Sequence, residues 1–163
     1  MKKSILALIT LFSLTAHADE GFFGFGVGLA NSAKNSRGEV KLFNGGIRED
    51  LFQGIYLQGK FGYWGDGSGD PNRSGSLFVS AGPGFLVDLS PLEIRTGWSL
   101  AMISTPDGYL GGRFPQFNGE IYVGLRDYRG NGVGLQYDHI SSAGLVNPNA
   151  GRDFFTLQVS QRF

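Results

Sequence analysis

The chain contains no cysteine. That excludes a disulfide framework and a thiolate metal site. Histidine is scarce too: there are two in 163 residues, and one, His17, falls within a segment that reads as a removable leader. A histidine-rich metal centre is therefore not expected, and no cofactor is implied. An excess of one charge is also missing. Without the two leader lysines, 12 basic side chains face 14 acidic ones, a net charge near −2. This gives no argument for nucleic-acid binding. Beyond the leader, no stretch is apolar enough for a membrane-spanning helix.

The leader is expected over residues 1–18. Lys2 and Lys3 form its basic start, Ile5 to Leu14 its apolar run, and Ala16-His17-Ala18 an A-x-A cleavage site. The mature chain, 19–163, has the length of one domain. What the chain does have is glycine, 27 residues, and phenylalanine, 14. With few helix-like segments, that excess points to an exported all-β protein. Mean hydropathy is near zero. Membrane β-barrels share this property, because only every second residue faces lipid.

Eight segments alternate with period two. The first, Phe22 to Asn31, places Phe23, Phe25, Val27 and Leu29 against Gly24, Gly26, Gly28 and Ala30. Those glycines are not a phosphate loop, since no Lys-Ser/Thr closes the motif. Segment two, Gly38 to Gly45, sets Val40 and Leu42 against Glu39 and Lys41, but Phe43 breaks it. Segment three runs from Gly54 to Trp64. Segment four runs from Ser76 to Asp88, with Pro83 marking a bulge or irregularity. Segment five is the clearest: Leu92, Ile94, Trp98, Leu100 and Met102 oppose Glu93, Arg95, Gly97, Ser99 and Ala101. Segment six spans Gln116 to Asp127. Segment seven carries Val133, Leu135 and Tyr137, and segment eight Phe155, Leu157, Val159 and Phe163.

Two features favour an eight-stranded antiparallel transmembrane β-barrel over a soluble sandwich. Lys41, Lys60, Glu93, Arg95, Glu120, Arg126 and Arg162 lie on the polar parity and can pair inside a closed lumen. Connections after segments one, three, five and seven are long, whereas those after four and six are tight. Long loops outside and short turns inside is the outer-membrane pattern. The connection from Gly46 to Gln53 is less tidy. Tyr63, Trp64, Trp98, Phe117, Tyr128 and Tyr137 are candidates for interfacial girdles. The terminal Phe163 resembles the signature read by the barrel assembly machinery.

The candidate chemistry lies in Tyr137-Asp138-His139-Ile140-Ser141. His139 and Ser141 share a strand face with Val133 and Leu135, so both are expected to point outward. Asp138 is expected to face the lumen. On segment eight Asp153 shares the outward parity of Phe155 and Leu157, and a hairpin centred near Val146 places it opposite His139. Hydroxyl, imidazole and carboxylate would then lie in a row, the arrangement of a serine esterase. With the N-terminus periplasmic, this row falls at the extracellular end of segment seven. A charge on the lipid face costs about 2–4 kcal/mol at the midplane but only about 0–1 near the interface. The esters within reach there belong to lipopolysaccharide, in the outer membrane.

The run from Tyr137 to Ser141, then Asn147-Pro148-Asn149, the acid at 153 and terminal Phe163, resembles the PagL family of lipid A deacylases. Phe117 falls where that family has a phenylalanine near the site. The resemblance implies an eight-stranded barrel, no metal, and hydrolysis of the 3-position acyl ester of lipid A. It implies Ser141 as nucleophile, His139 as base, and Asn149 as an oxyanion-hole or site-shaping residue. Two positions depart from the family. Its acid is normally Glu, where this chain has Asp153, and Asn usually follows the serine, where this chain has Ser142. The partners expected are lipid A, outer-membrane lipids and the assembly machinery, and a homodimer is left open. The competing class is a non-enzymatic small barrel that adheres or scaffolds through its loops. Asp66-Gly67-Ser68-Gly69-Asp70 lacks the spaced terminal Glu of a calcium loop and reads as plain loop.

Overall fold

The computed structural model describes residues 19–30, 40–65, 75–105, 110, 113–145 and 151–163. Eight antiparallel strands close on themselves in chain order. They are β1 (Glu20–Ala30), β2 (Val40–Phe52), β3 (Ile55–Gly65), β4 (Ser76–Leu89), β5 (Leu92–Ile103), β6 (Gln116–Arg126), β7 (Gly132–Ser141) and β8 (Arg152–Arg162). Closure comes from β1 pairing with β8, with Phe25 opposite Leu157. A closed sheet leaves no unpaired edge, as a strand-built membrane span requires.

The two-residue period sorts side chains by face. Phe23, Phe25, Val79, Phe85, Leu100, Ile121, Leu135, Leu157 and Val159 are exposed on the outer wall. The opposite parity is buried and largely polar. Glu20 accepts from Arg48 at 2.7 Å, Arg95 at 2.6 Å and Arg126 at 3.0 Å. Glu93 pairs with the same Arg95 and Arg126. Higher in the lumen, Lys60 donates to Glu120 at 2.6 Å and Asp138 at 2.5 Å. Buried charges are tolerated only when paired in this way. The narrow wall needs small residues in places: a Cβ at Gly26 would lie 1.9 Å from the carbonyl oxygen of Phe155.

The turns at the end that carries Asp19 and Phe163 are short. Gln53 and Gly54 alone join β2 to β3, both with positive φ (43° and 81°), the geometry of a tight hairpin turn. Ser90 and Pro91 join β4 to β5, and Asp88 Oδ1 accepts the Ser90 amide at 2.9 Å. Between β6 and β7, Asp127 Oδ1 accepts the amides of Arg129 and Asn131 at 2.8 and 2.9 Å. Ala30, Gly65, Ile103 and Ser141, the strand ends from which the long connections leave, lie at the opposite end.

Several expectations need correction. Segment two runs on to Phe52, so the untidy stretch near Gly46 is strand, with its irregularity between Asp50 and Phe52. Its parity is also reversed: Val40 and Leu42 are buried and Lys41 is exposed. Trp64, expected in a girdle, is fully buried. The cause is shared. At the loop end the lumen is apolar, filled by Val40, Leu42, Trp64, Phe78, Ile103, Leu110, Ile140 and Phe154. Of the bulge or irregularity expected at Pro83, the structure has only the second: register with Leu57 is regular, but the β4–β5 ladder is interrupted at Gly82 and Pro83. That fits a residue with no N–H to donate. Arg162 lies exposed at the rim, paired with Asp50 at 2.9 Å, instead of in the lumen.

Candidate active site

Strand β7 presents Tyr137, His139 and Ser141 on its outer face, in the same parity as exposed Val133 and Leu135. Ile140, between the histidine and the serine, points the other way into the apolar plug. Phe154 does the same on β8, stacking at 5.3 Å on Trp64. Asp138 is also turned inward, held by Lys60 and by Asn118 Nδ2 at 3.0 Å. These buried anchors fix the pleat of both strands. A slip of one residue would move each outward group into the lumen.

His139 is directly opposite Asp153. Its Nδ1 lies 2.7 Å from Asp153 Oδ1. A carboxylate only accepts, so Nδ1 carries the proton, and in the neutral ring the lone pair is on Nε2. That tautomer is the one a general base needs. Asp153 also accepts the Tyr137 hydroxyl on the same oxygen, at 2.7 Å. The side chains of His139 and Asp153 are 36% and 20% exposed, so the ring is the more open of the two. Ser141 is two residues from His139 on the same face. No hydrogen bond joins them among the described residues.

The neighbouring strand completes the surroundings. Phe117 of β6 is opposite Ser141, and Gly119 is opposite His139. A Cβ built at Gly119 meets nothing within 4 Å. Trp98 of β5 is paired on its other side and is 75% exposed. An open notch therefore lies on the outer wall between Trp98 and His139. On the loop side, Gly151 has φ +74°, and a Cβ there would fall 2.7 Å from His139 Cε1 and 3.2 Å from Nε2. Neither glycine stands out in the sequence as part of a site. Tyr137 opens the family-like run and reads as an aromatic near a strand end, but its bond to Asp153 is not legible in the sequence.

The structure thus brings together His139, Asp153, Ser141 and Phe117. Asn149 lies outside the described residues. Ser142, at the position where the family usually has asparagine, is fully buried. Among the described residues, no group of three or more His, Cys, Asp or Glu side chains could hold a metal ion.

A sequence model described as lipid A 3-O-deacylase (PagL) matches residues 42–162. The chain belongs to this family. All the outward groups above fall within the matched range. A search of curated proteins finds no match. Among solved structures, the outer membrane enzyme PagL is similar with a TM-score of 0.71 at 20% identity, covering 88% of this chain and 99% of that one. Neisserial surface protein A is similar at 0.59 and 13% identity, covering 88% and 96%. The Yersinia pestis outer membrane protein Ail is similar at 0.52 and 13% identity, covering 89% and 99%. At such identities these likenesses show a shared eight-stranded barrel. The PagL assignment rests on the family match.

Proposed function

We propose that the protein is an outer-membrane serine esterase that hydrolyses the 3-position ester-linked acyl chain of lipid A. The observation that carries this reading is the outward His139–Asp153 pair, at 2.7 Å, with Ser141 on the same face of β7. Membership of the lipid A 3-O-deacylase family supplies the substrate class. The barrel is exported through a leader cleaved near Ala18. It assembles with its long loops outside, and its terminal Phe163 engages the assembly machinery.

In this reading an acyl ester approaches from the bilayer, because the row faces lipid near the outer rim. Ser141 Oγ attacks the ester carbonyl as its proton passes to His139 Nε2. Asp153 holds the ring in the tautomer with Nε2 free and stabilises the imidazolium that forms. Asn149 and loop amides hold the oxyanion. The tetrahedral intermediate collapses with breakage of the ester bond, and His139 returns the proton to the departing sugar hydroxyl. Water, activated by the same imidazole, then releases the fatty acid from Ser141. Gly119 and Trp98 border the space beside the ring where an acyl chain can lie.

The test is expression of the wild type and Ser141→Ala in a lipopolysaccharide-bearing host, followed by mass analysis of lipid A. Loss of one 3-linked acyl chain with the wild type alone is expected. Unchanged lipid A from both, with both barrels assembled, would overturn the reading and favour a non-enzymatic barrel.

A further inference from the structure

We propose that Tyr137 is a positioning residue for the esterase, acting through Asp153; the proposal rests on the serine-esterase reading above. The phenolic hydroxyl donates to Asp153 Oδ1 at 2.7 Å, the same oxygen that accepts from His139 Nδ1 at 2.7 Å. Register explains the reach. Tyr137 is directly opposite Phe155, and Asp153 is the diagonal neighbour two residues along β8. Diagonal pairs on one face lie about 7–8 Å apart, within range of an aromatic side chain. The ring is steadied by Phe155, 5.3 Å between centroids at an interplanar angle of 49°.

Two physical consequences follow. Tyr137 lies deeper toward the middle of β7 than His139, so its hydroxyl closes off the membrane side of the carboxylate. A carboxylate that leaned toward the bilayer would lose its solvation, and the phenol replaces it with a fixed donor. The donor also restricts the Asp153 rotamer. Without it, Oδ1 is free to turn away from Nδ1, and the imidazole loses its fixed tautomer. An interfacial anchor needs only the ring and a hydroxyl that meets water. Here the hydroxyl is spent on the carboxylate instead.

The experiment uses Tyr137→Phe, which keeps the ring on Phe155 and removes only the hydroxyl. Full-length protein is expressed, purified from outer membranes and given lipopolysaccharide in mixed micelles. Fatty-acid release is then followed. The expected result is a fall in kcat of about ten-fold with KM unchanged, the scale of one lost hydrogen bond to a charged group. The urea midpoint should fall only slightly, by the loss of that one hydrogen bond. In 15N-histidine-labelled protein, the ring resonances that vanish in His139→Asn should move in Tyr137→Phe and stay put in Tyr128→Phe. A wild-type kcat in Tyr137→Phe, or unmoved His139 resonances, overturns the proposal while leaving the esterase intact. No release by the wild type overturns the esterase reading, and this proposal with it.

Discussion

Gly151 and Gly144 make a matched pair for testing His139 without touching it. Both have left-handed backbones, with φ of +74° and +81°. Alanine at either costs roughly 1–2 kcal/mol of stability from the clash of its Cβ with the backbone. Their surroundings differ. A Cβ at Gly144 meets nothing within 4 Å, whereas one at Gly151 falls 2.7 Å from His139 Cε1 and 3.2 Å from Nε2. Carbon atoms pack at about 3.5–4.0 Å, so the ring has to give way by about 1 Å. A misplacement of that size in a reacting group costs on the order of 100-fold. Gly151→Ala should therefore lose about 100-fold in kcat/KM, while Gly144→Ala stays within about two-fold. Both should show the same small drop in urea midpoint. The assay is fatty-acid release from lipopolysaccharide micelles, with folding followed by the heat-modifiable gel mobility of barrels. Equal activity in the two variants would refute the claim that the imidazole at this position does the chemistry.

Three other outcomes are expected. Gly119→Leu fills the notch beside His139 and should raise KM about ten-fold with little change in urea midpoint, since one lost hydrophobic contact region is worth about that much. Lys60→Met leaves Glu120 and Asp138 buried without their cation, and should destabilise the barrel by about 3–5 kcal/mol in urea unfolding. Asn131 donates to Asp127 through its side chain, at 3.0 Å, and this holds the Asp127 carboxyl below the usual carboxylate range. A carboxyl lowered in the folded state stabilises the turn above its unfolded pKa, and that stabilisation is lost as pH falls through the folded value. NMR shifts of the Arg129 and Asn131 amides should thus titrate below the ordinary range, and in Asn131→Ala they should titrate higher.

Alternation made much of this fold legible, because a barrel wall has one rule over most of its height. Phe23 to Val27, Trp98 to Met102 and Val133 to Tyr137 face outward as their parity demands. The same rule placed Asp153 opposite His139, since hairpin register and parity together leave few alternatives. It failed where the lumen is not polar. Val40 and Leu42 read as a lipid face, yet they plug the loop end with Trp64 and Phe78. Pattern alone does not distinguish an apolar plug from an apolar exterior. Gly119 and Gly151 were hidden for a different reason. A missing side chain has meaning only once its neighbours are placed, and those neighbours come from β5 and β7. Tyr137 looked like an interfacial aromatic because its partner, Asp153, is 16 residues away.

The central claim is that Ser141 becomes acylated on the lipid-facing wall. The most direct measurement is covalent labelling with a fluorophosphonate probe, followed by mass mapping of the labelled peptide. A single adduct on Ser141, competed by lipopolysaccharide and lost in His139→Asn, is the predicted result. Lipid A deacylation that proceeds while Ser141 stays unlabelled would contradict it.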